Sequence, residues 1–325
     1  SLRKDSVAFV NQYAGKQPFF AMINHYAPHV PHMSTKEAFD RCKQRWIEQG
    51  RDTDDIDVEE SSVNREITYA AMIEEMDMNV GALIDALKAK GELDNTYIIF
   101  TSDNGGGHSR KEMIDGESRR FNGPLQEGKR SIFEGGIRVP TVIAGPGIKP
   151  GSQCDVPIVQ WDFLPTFHDL SGSKAPRPVN VDGGSLRDVF ANGNAGQVKR
   201  AAPGIIHHYP CHYHPPLSSI IIGDYKLMRH LTSCEIKLFN LKNDYREELN
   251  LAEAMPERVA EMDAIRQSYV EQVDGGTAQQ VREALYKTMD RFGNQAKDSF
   301  RKKMADLKKS NPPDVEAKTT VLLNE

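Results

Sequence analysis

The chain has 325 residues, 38% hydrophobic and 27% charged, with 25 Gly and 18 Pro: globular composition, and length for one large domain or two modest ones. Its 41 Lys and Arg against 46 Asp and Glu leave a net charge of −5, which gives no electrostatic footprint for nucleic acid. No apolar run approaches the roughly 18–20 residues of a membrane span, and the opening SLRKDSVAFV lacks the basic, apolar, small order of a signal peptide.

In chain order, PFFAMIN (18–24) is a short aromatic-rich run bounded by Gly15 and by Pro28 and Pro31, which predicts a buried strand delivering the loop HYAPHVPH. Residues 40–62 are polar and acidic and read as an exposed excursion. Tyr69, Met72, Ile73, Met76, Val80, Leu83, Ile84 and Leu87 then recur at three- and four-residue steps, an amphipathic helix from Thr68 to Lys90 stopped by Gly91. Thr96–Thr101 is a continuous apolar strand of the kind buried on both faces of a sheet. It ends in SDNGGG, the place where open α/β sheets carry their chemistry. Residues 105–130 form a long Gly-rich loop. Val139–Ala144 predicts another strand, and Ile158–Leu170 a short helix kinked at Pro165. Past residue 195 short β-like runs appear (204–208, 218–222, 225–228, 235–241), with Gly223-Asp224 as a hairpin turn. Helical stretches near 256–272 and 277–309 close the chain. The division expected is 1–195 and 196–325.

Four cysteines, Cys42, Cys154, Cys211 and Cys234, form no CxxC pair, so a thiolate zinc site is not supported, while one or two disulfides remain open. Asp103-Asn104 offers two hard oxygen ligands, part of a cation site at most, since calcium takes 6–8 and magnesium six. The plain alternative is an Asp-Asn-Gly turn. His25, His29 and His32 leave the first strand together, and His207, His208, His212 and His214 gather among prolines and tyrosines. Either group reads as loop histidines or as a ligand-lining loop. Lys129 sits in a Gly-rich loop, and Glu134 with Arg138, four residues on, suggests a structural ion pair shaping the Gly-Gly turn.

PFFAMINHYAPHVPH, then YAAMIEEMDMNVGALIDALKAKGELDNTYIIFTSDNGG, GKRSIFEGGIRVPTVIAGPG, QWDFLPTFHDLSG, SSIIIGDYKLM and LFNLKNDYREELNL stand in this order. Together they resemble a type I, formylglycine-dependent sulfatase of the alkaline-phosphatase superfamily, arylsulfatases included. The likeness covers about residues 17–255. It implies an α/β fold, a mixed and mostly parallel sheet flanked by helices, with a smaller C-terminal α+β subdomain holding an antiparallel sheet. By resemblance Asp103 and Asn104 match metal ligands, Lys129 the lysine on the sulfate, and His29 the histidine facing the sulfate and leaving oxygen. His32, His108, His208 and His212 are the further candidates for substrate contact.

The activity implied is hydrolysis of a sulfate ester on a small molecule or glycan, with Ca2+ or alternatively Mg2+, in a periplasmic, extracellular or lysosomal-type compartment. The family nucleophile is a formylglycine made from Cys in Cys-x-Pro/Ala-x-Arg. No cysteine here has that context: Trp46, Ile158, Pro215 and Leu238 stand where the Arg belongs. Ser173-Lys-Ala-Pro-Arg177 mimics the motif but falls in a connecting loop and is rejected. The chain is therefore expected to be the rear portion of a sulfatase, N-terminally truncated and inactive alone. The alternatives are a noncatalytic binder of sulfated glycans and a phosphodiesterase or phosphonate hydrolase of the same superfamily.

Overall fold

The structure, a computed structural model, describes residues 2–59, 61–107, 113–114, 117–118, 122–177, 180–210 and 216–273. The expected helix over 277–309, His108, Cys211, His212 and His214 lie outside them. In chain order the elements are α1 (Leu2–Tyr13), α2 (Lys36–Glu48), α3 (Ser62–Ala89), β1 (Ile98–Thr101), β2 (Met113–Ile114), β3 (Glu117–Ser118), α4 (Glu134–Ile137), β4 (Thr141–Ala144), α5 (Phe163–Leu170), α6 (Arg187–Asn192), β5 (Ile205–Tyr209), β6 (Leu217–Ile222), β7 (Tyr225–His230), β8 (Ile236–Asn240) and α7 (Pro256–Gln272). They fall into two compact units, Ser1–Ile98 with Ile143–Ile148, and Ile99–Val142 with the described chain from Lys149.

In the first unit α3 carries two helices on different stretches of its length. Ser61 caps it, its hydroxyl accepting from the Asn64 amide at 3.0 Å, so the helix starts six residues before the periodicity suggests. Ala38, Cys42 and Trp46, four apart on α2, pack with Ile56, Ile67 and Ala71. Val10 and Ala14, at the end of α1, meet Ala86 and Leu87. Each large apolar side chain so buried contributes about 1.5–3 kcal/mol. Ile73, expected in the buried stripe, is exposed instead, because α1 and α2 take different faces.

Two expectations fail here. The excursion at 40–62 is helical to Glu48, its start fixed by the Thr35 hydroxyl accepting from the Ala38 amide. Only the following acidic stretch lies open. Residues 18–24 are not a strand: none of the described segments pairs with them, and Phe20 and Met22 are 63% and 72% exposed. An apolar run without a partner strand gains neither ladder nor burial.

Strand β1 pairs with β4. Strand β1 is half-buried along its length rather than enclosed on both faces, and Val142 on β4 is open to solvent. Pro165 does not kink α5. It sits in the first turn, where its missing amide hydrogen costs no helical bond. Strands β5–β8 form an antiparallel sheet in sequence order. The β6–β7 turn has Gly223 at φ 56° with Asp224 not at positive φ, which suits a type II′ hairpin.

Register divides this sheet's side chains into two faces. Ile220, Leu227 and Leu238 face α7 and enclose Met262. Met228 and Phe239 face the other way, onto Ile132. The sheet is thus packed between a helix and the loop that carries Lys129.

Candidate active site

Asp103 and Asn104 follow directly on β1. The Asn104 amide donates to Asp103 Oδ1 at 2.9 Å, and Asn104 Nδ2 donates to the Gly105 carbonyl at 3.0 Å. Gln160 Nε2 holds the turn from the side, donating to the carbonyls of Ser102 at 2.7 Å and Asp103 at 3.3 Å. Asp103 Oδ2 and Asn104 Oδ1 make no hydrogen bond among the described residues.

Gly105 and Gly106 weld this turn to the Lys129 loop. The Gly105 amide donates to the Gly136 carbonyl at 2.9 Å, and a Cβ on Gly105 would stand 1.8 Å from the Gly135 carbonyl oxygen. Gly106 is gripped by Asn122, whose Oδ1 accepts from its amide at 2.7 Å and whose Nδ2 donates to its carbonyl at 3.2 Å. That carbonyl also accepts from the Lys129 amide at 2.8 Å. Lys129 is therefore one backbone hydrogen bond from a residue three positions after Asp103. Its ammonium makes no hydrogen bond or ion pair among the described residues.

Behind the loop lies a buried ionic cluster. Lys226 Nζ, fully buried on β7, reaches Glu134 Oε1 at 2.9 Å and Glu247 Oε1 at 2.7 Å. Glu247 Oε2 accepts from the Glu134 amide at 2.8 Å, and Arg138 Nε donates to Glu134 Oε2 at 2.6 Å. The Glu134–Arg138 pair is thus structural, as its spacing suggests, but it belongs to a larger network. Burial pushes the Glu134 carboxyl up, yet Lys226 and Arg138 outweigh it and hold the group below the ordinary range. For Glu247 burial prevails over Lys226, and its carboxyl is raised.

His207 lies on the same sheet face, its pKa pushed down to about 4 by burial and then by the Lys226 charge. Its ring meets Trp161 edge-on at 5.6 Å, and its Nδ1 is buried with no partner among the described residues. His208, next on β5, points to the α7 side and stands opposite Ser218.

His25, His29 and His32 belong to the first unit. His29 is exposed, and its Nδ1 must be the protonated nitrogen because it donates to the Val30 carbonyl at 2.8 Å. His32 packs edge-on against Tyr69 of α3 at 5.6 Å. His25 lies within 3.5 Å of the Asn79 amide, its pKa lowered by burial. Ser173 sits on an exposed turn after α5. Among the described residues no group of three His, Cys, Asp or Glu side chains is placed to hold a metal, so Asp103 and Asn104 suit a cation only as part of its shell.

The Asp103-Asn104 turn is thus locked through glycine backbone to the loop that carries Lys129. The sulfatase family model matches residues 1–173, more than half the chain. The chain belongs to the sulfatase family. A second model, N-sulphoglucosamine sulphohydrolase, C-terminal, matches residues 126–289. This sulfatase-family chain is 29% identical over 216 residues to arylsulfatase K of Danio rerio, covering 66% of the chain and 38% of the relative. Choline-sulfatase of Rhizobium meliloti is 31% identical over 266 residues, 75% of the chain and 48% of the relative. The crystal structure of Ps i-CgsB in complex with k-i-k-neocarrahexaose superposes with a TM-score of 0.64 at 27% identity, covering 82% of the chain and 53% of that structure. The fold is therefore the alkaline-phosphatase-like one, with an antiparallel sheet in its C-terminal part. The chain spans about half or less of the length of these relatives.

Sequence reasoning reaches Asp103, Asn104 and Lys129 but misses Asn122, Gln160, Lys226 and Glu247. A lone Asn, Gln or Lys carries no periodicity. The only signal for Lys226 is an ammonium in the alternating strand YKLM, on the face shared with Met228.

Proposed function

We propose that the protein hydrolyses a sulfate ester carried by a sugar. Asp103 and Asn104 supply two oxygen ligands to a divalent cation, Ca2+ or Mg2+, which when bound neutralises charge on the sulfate oxygens. Lys129 contacts the sulfate through its ammonium. By the family resemblance His29 is the donor to the departing oxygen; with its Nδ1–H given to the Val30 carbonyl, it donates from Nε2 only as the imidazolium, protonated on both nitrogens. The nucleophile is a formylglycine supplied from outside these 325 residues, so this chain alone binds without turnover. The observation that carries the reading is the glycine weld between the Asp103 turn and the Lys129 loop. The oligosaccharide bound to the relative Ps i-CgsB supports a glycan over a small aryl ester.

The test uses the full length that the reading frame encodes, assayed in parallel on nitrophenyl sulfate, nitrophenyl phosphate and sulfated oligosaccharides. Sulfate release is expected, with Lys129→Ala and Asp103→Ala each lowering kcat/KM by about 100-fold or more. Preference for the phosphate ester overturns the reading in favour of a phosphorus-ester hydrolase. Binding of sulfated glycan without release of sulfate overturns it in favour of a noncatalytic binder.

A further inference from the structure

Beside the Asp103 turn the second unit holds a cavity of about 160 Å³, lined by Trp161, Asp182, Arg200, Gly204, Ile206 and Tyr269. Trp161 is the residue after Gln160, whose side chain bonds the carbonyls of Ser102 and Asp103. The cavity wall therefore begins about 3.8 Å of backbone from a residue that touches the proposed sulfate site. Nothing in the proposed hydrolysis uses it.

Its chemistry is specific. The indole of Trp161 is 37% exposed, held on one side by the edge-on ring of His207, and offers a flat apolar surface. Tyr269 on α7 donates its hydroxyl to the Asp182 carboxylate; burial first, and then that carboxylate, raises the phenol pKa. That pair gives a donor–acceptor couple at one wall, and Ile206 and Gly204 give an apolar floor. A ring with one apolar face and hydroxyls at its rim matches such a lining.

The charges restrict the ligand further. Arg200 is the one cation among these six, and three of its five N–H donors are committed, Nε to Asp162 Oδ1 at 2.9 Å and Nη2 to Asp162 Oδ2 at 2.6 Å and to the Pro157 carbonyl at 2.8 Å. With Arg200 neutralised by Asp162, Asp182 leaves the cavity negative, so a second sulfate or a uronate is repelled. The volume lies below the roughly 300–1,000 Å³ of pockets for drug-sized ligands, which suits one ring and not two.

We infer that this cavity is a subsite for an uncharged pyranose, the chain neighbour of the sulfated sugar. The inference rests on the sulfated-glycan reading above and adds that the substrate carries its sulfate next to a neutral residue.

The test uses the chain with Trp46→Phe, which leaves Trp161 as its only tryptophan, titrated with lactose, cellobiose and diacetylchitobiose. A saturable change in Trp161 fluorescence with at least one disaccharide is expected, confirmed by calorimetry on the unsubstituted chain. Asp182→Asn should weaken that binding by about tenfold, Trp161→Ala should abolish it, and Trp161→Phe should restore part of it. No saturable response to any of the three, or affinity unchanged in both Trp161→Ala and Asp182→Asn, overturns the subsite. Asp103→Ala and Lys129→Ala should leave the neutral disaccharide bound as before. Loss of binding in those variants also overturns it, since the sugar would then occupy the sulfate site. Neutral-sugar binding in a protein that releases no sulfate would refute the hydrolase and leave the subsite standing.

Discussion

Lys226 of β7 and Glu134 at the start of α4 meet at 2.9 Å with side chains 0% and 4% exposed. Through this contact the antiparallel sheet holds the loop that presents Lys129. A buried ammonium is tolerated only with carboxylates on it, and removing one partner of such a pair costs more than the pair itself contributes. Lys226→Met should therefore destabilise the chain by about 3–5 kcal/mol in urea unfolding. A loss below about 1 kcal/mol would show that the two carboxylates find water instead.

The two carboxylates of that cluster should respond oppositely to pH. Glu134 has a folded pKa below its ordinary 4.5. Its stabilisation is present above that value and is lost as pH falls through the folded pKa. Glu247 is shifted up, so its contribution is present below the ordinary value and is lost as pH rises through the folded one. At neutral pH Glu134→Gln should thus cost more than Glu247→Gln. Urea unfolding at a series of pH values should show the acid-side slope flattened by the first substitution and the higher-pH slope by the second. Equal slopes in both variants would contradict the assignment.

Gly105 and Gly107 make a matched pair of positions. A Cβ at Gly105 meets the Gly135 carbonyl oxygen at 1.8 Å, whereas one at Gly107 meets nothing within 4 Å among the described residues. Gly105→Ala should separate the Asp103 turn from the Lys129 loop and cost about 1–3 kcal/mol or more. Gly107→Ala should be close to neutral. Urea unfolding of both variants checks this, with the loss confined to the first.

Much of this was legible in the sequence where one residue type repeats or punctuates. The β6–β7 hairpin follows from Gly223-Asp224 between apolar runs, and α3 from its stripe of Met, Ile and Leu. The strand expected at 18–24 failed because composition reports burial potential, and pairing needs a neighbour that those seven residues do not specify. Helix α2 was hidden by charge: Lys36 to Glu48 is polar on its open face, and Ala38, Cys42 and Trp46 are too few to stand out until α3 is opposite them. At the site, Asp103 and Lys129 were visible as motifs, but Asn122 clamps Gly106 from sixteen residues away, a relation that only folding creates.

Glu74 on α3 carries much of the polar side of the α2 contact. Its carboxyl is held down to about 2, first by the hydrogen bond from Arg45 and, against burial, by Arg41. Arg41 Nε lies 2.5 Å from Glu74 Oε1. The depressed value means this stabilisation is present above pH 4.5 and lost as pH falls toward 2. Both arginines are about half exposed, so solvent screens the pairs and the contribution is about 1 kcal/mol rather than the larger figure the shift suggests. Glu74→Gln should reproduce the acid loss at neutral pH, and added salt should shrink it.

The same contact sets the reactivity of Cys42. Its thiol is buried between α2 and α3, and burial, with the neighbouring Glu74 carboxylate, pushes its pKa up. Thiol reagents attack through the thiolate, so Cys42 is protected twice, by access and by protonation. Cys154 and Cys234 are free and exposed. In a Cys211→Ser background a disulfide reagent should therefore titrate two thiols at once in the native protein and the third only on unfolding. Glu74→Gln removes the adjacent negative charge and loosens the α2 contact, which should speed the third reaction. If Cys42 instead reacts as fast as the other two, α2 opens readily from α3 and the packing of Trp46 beside it contributes little to the first unit.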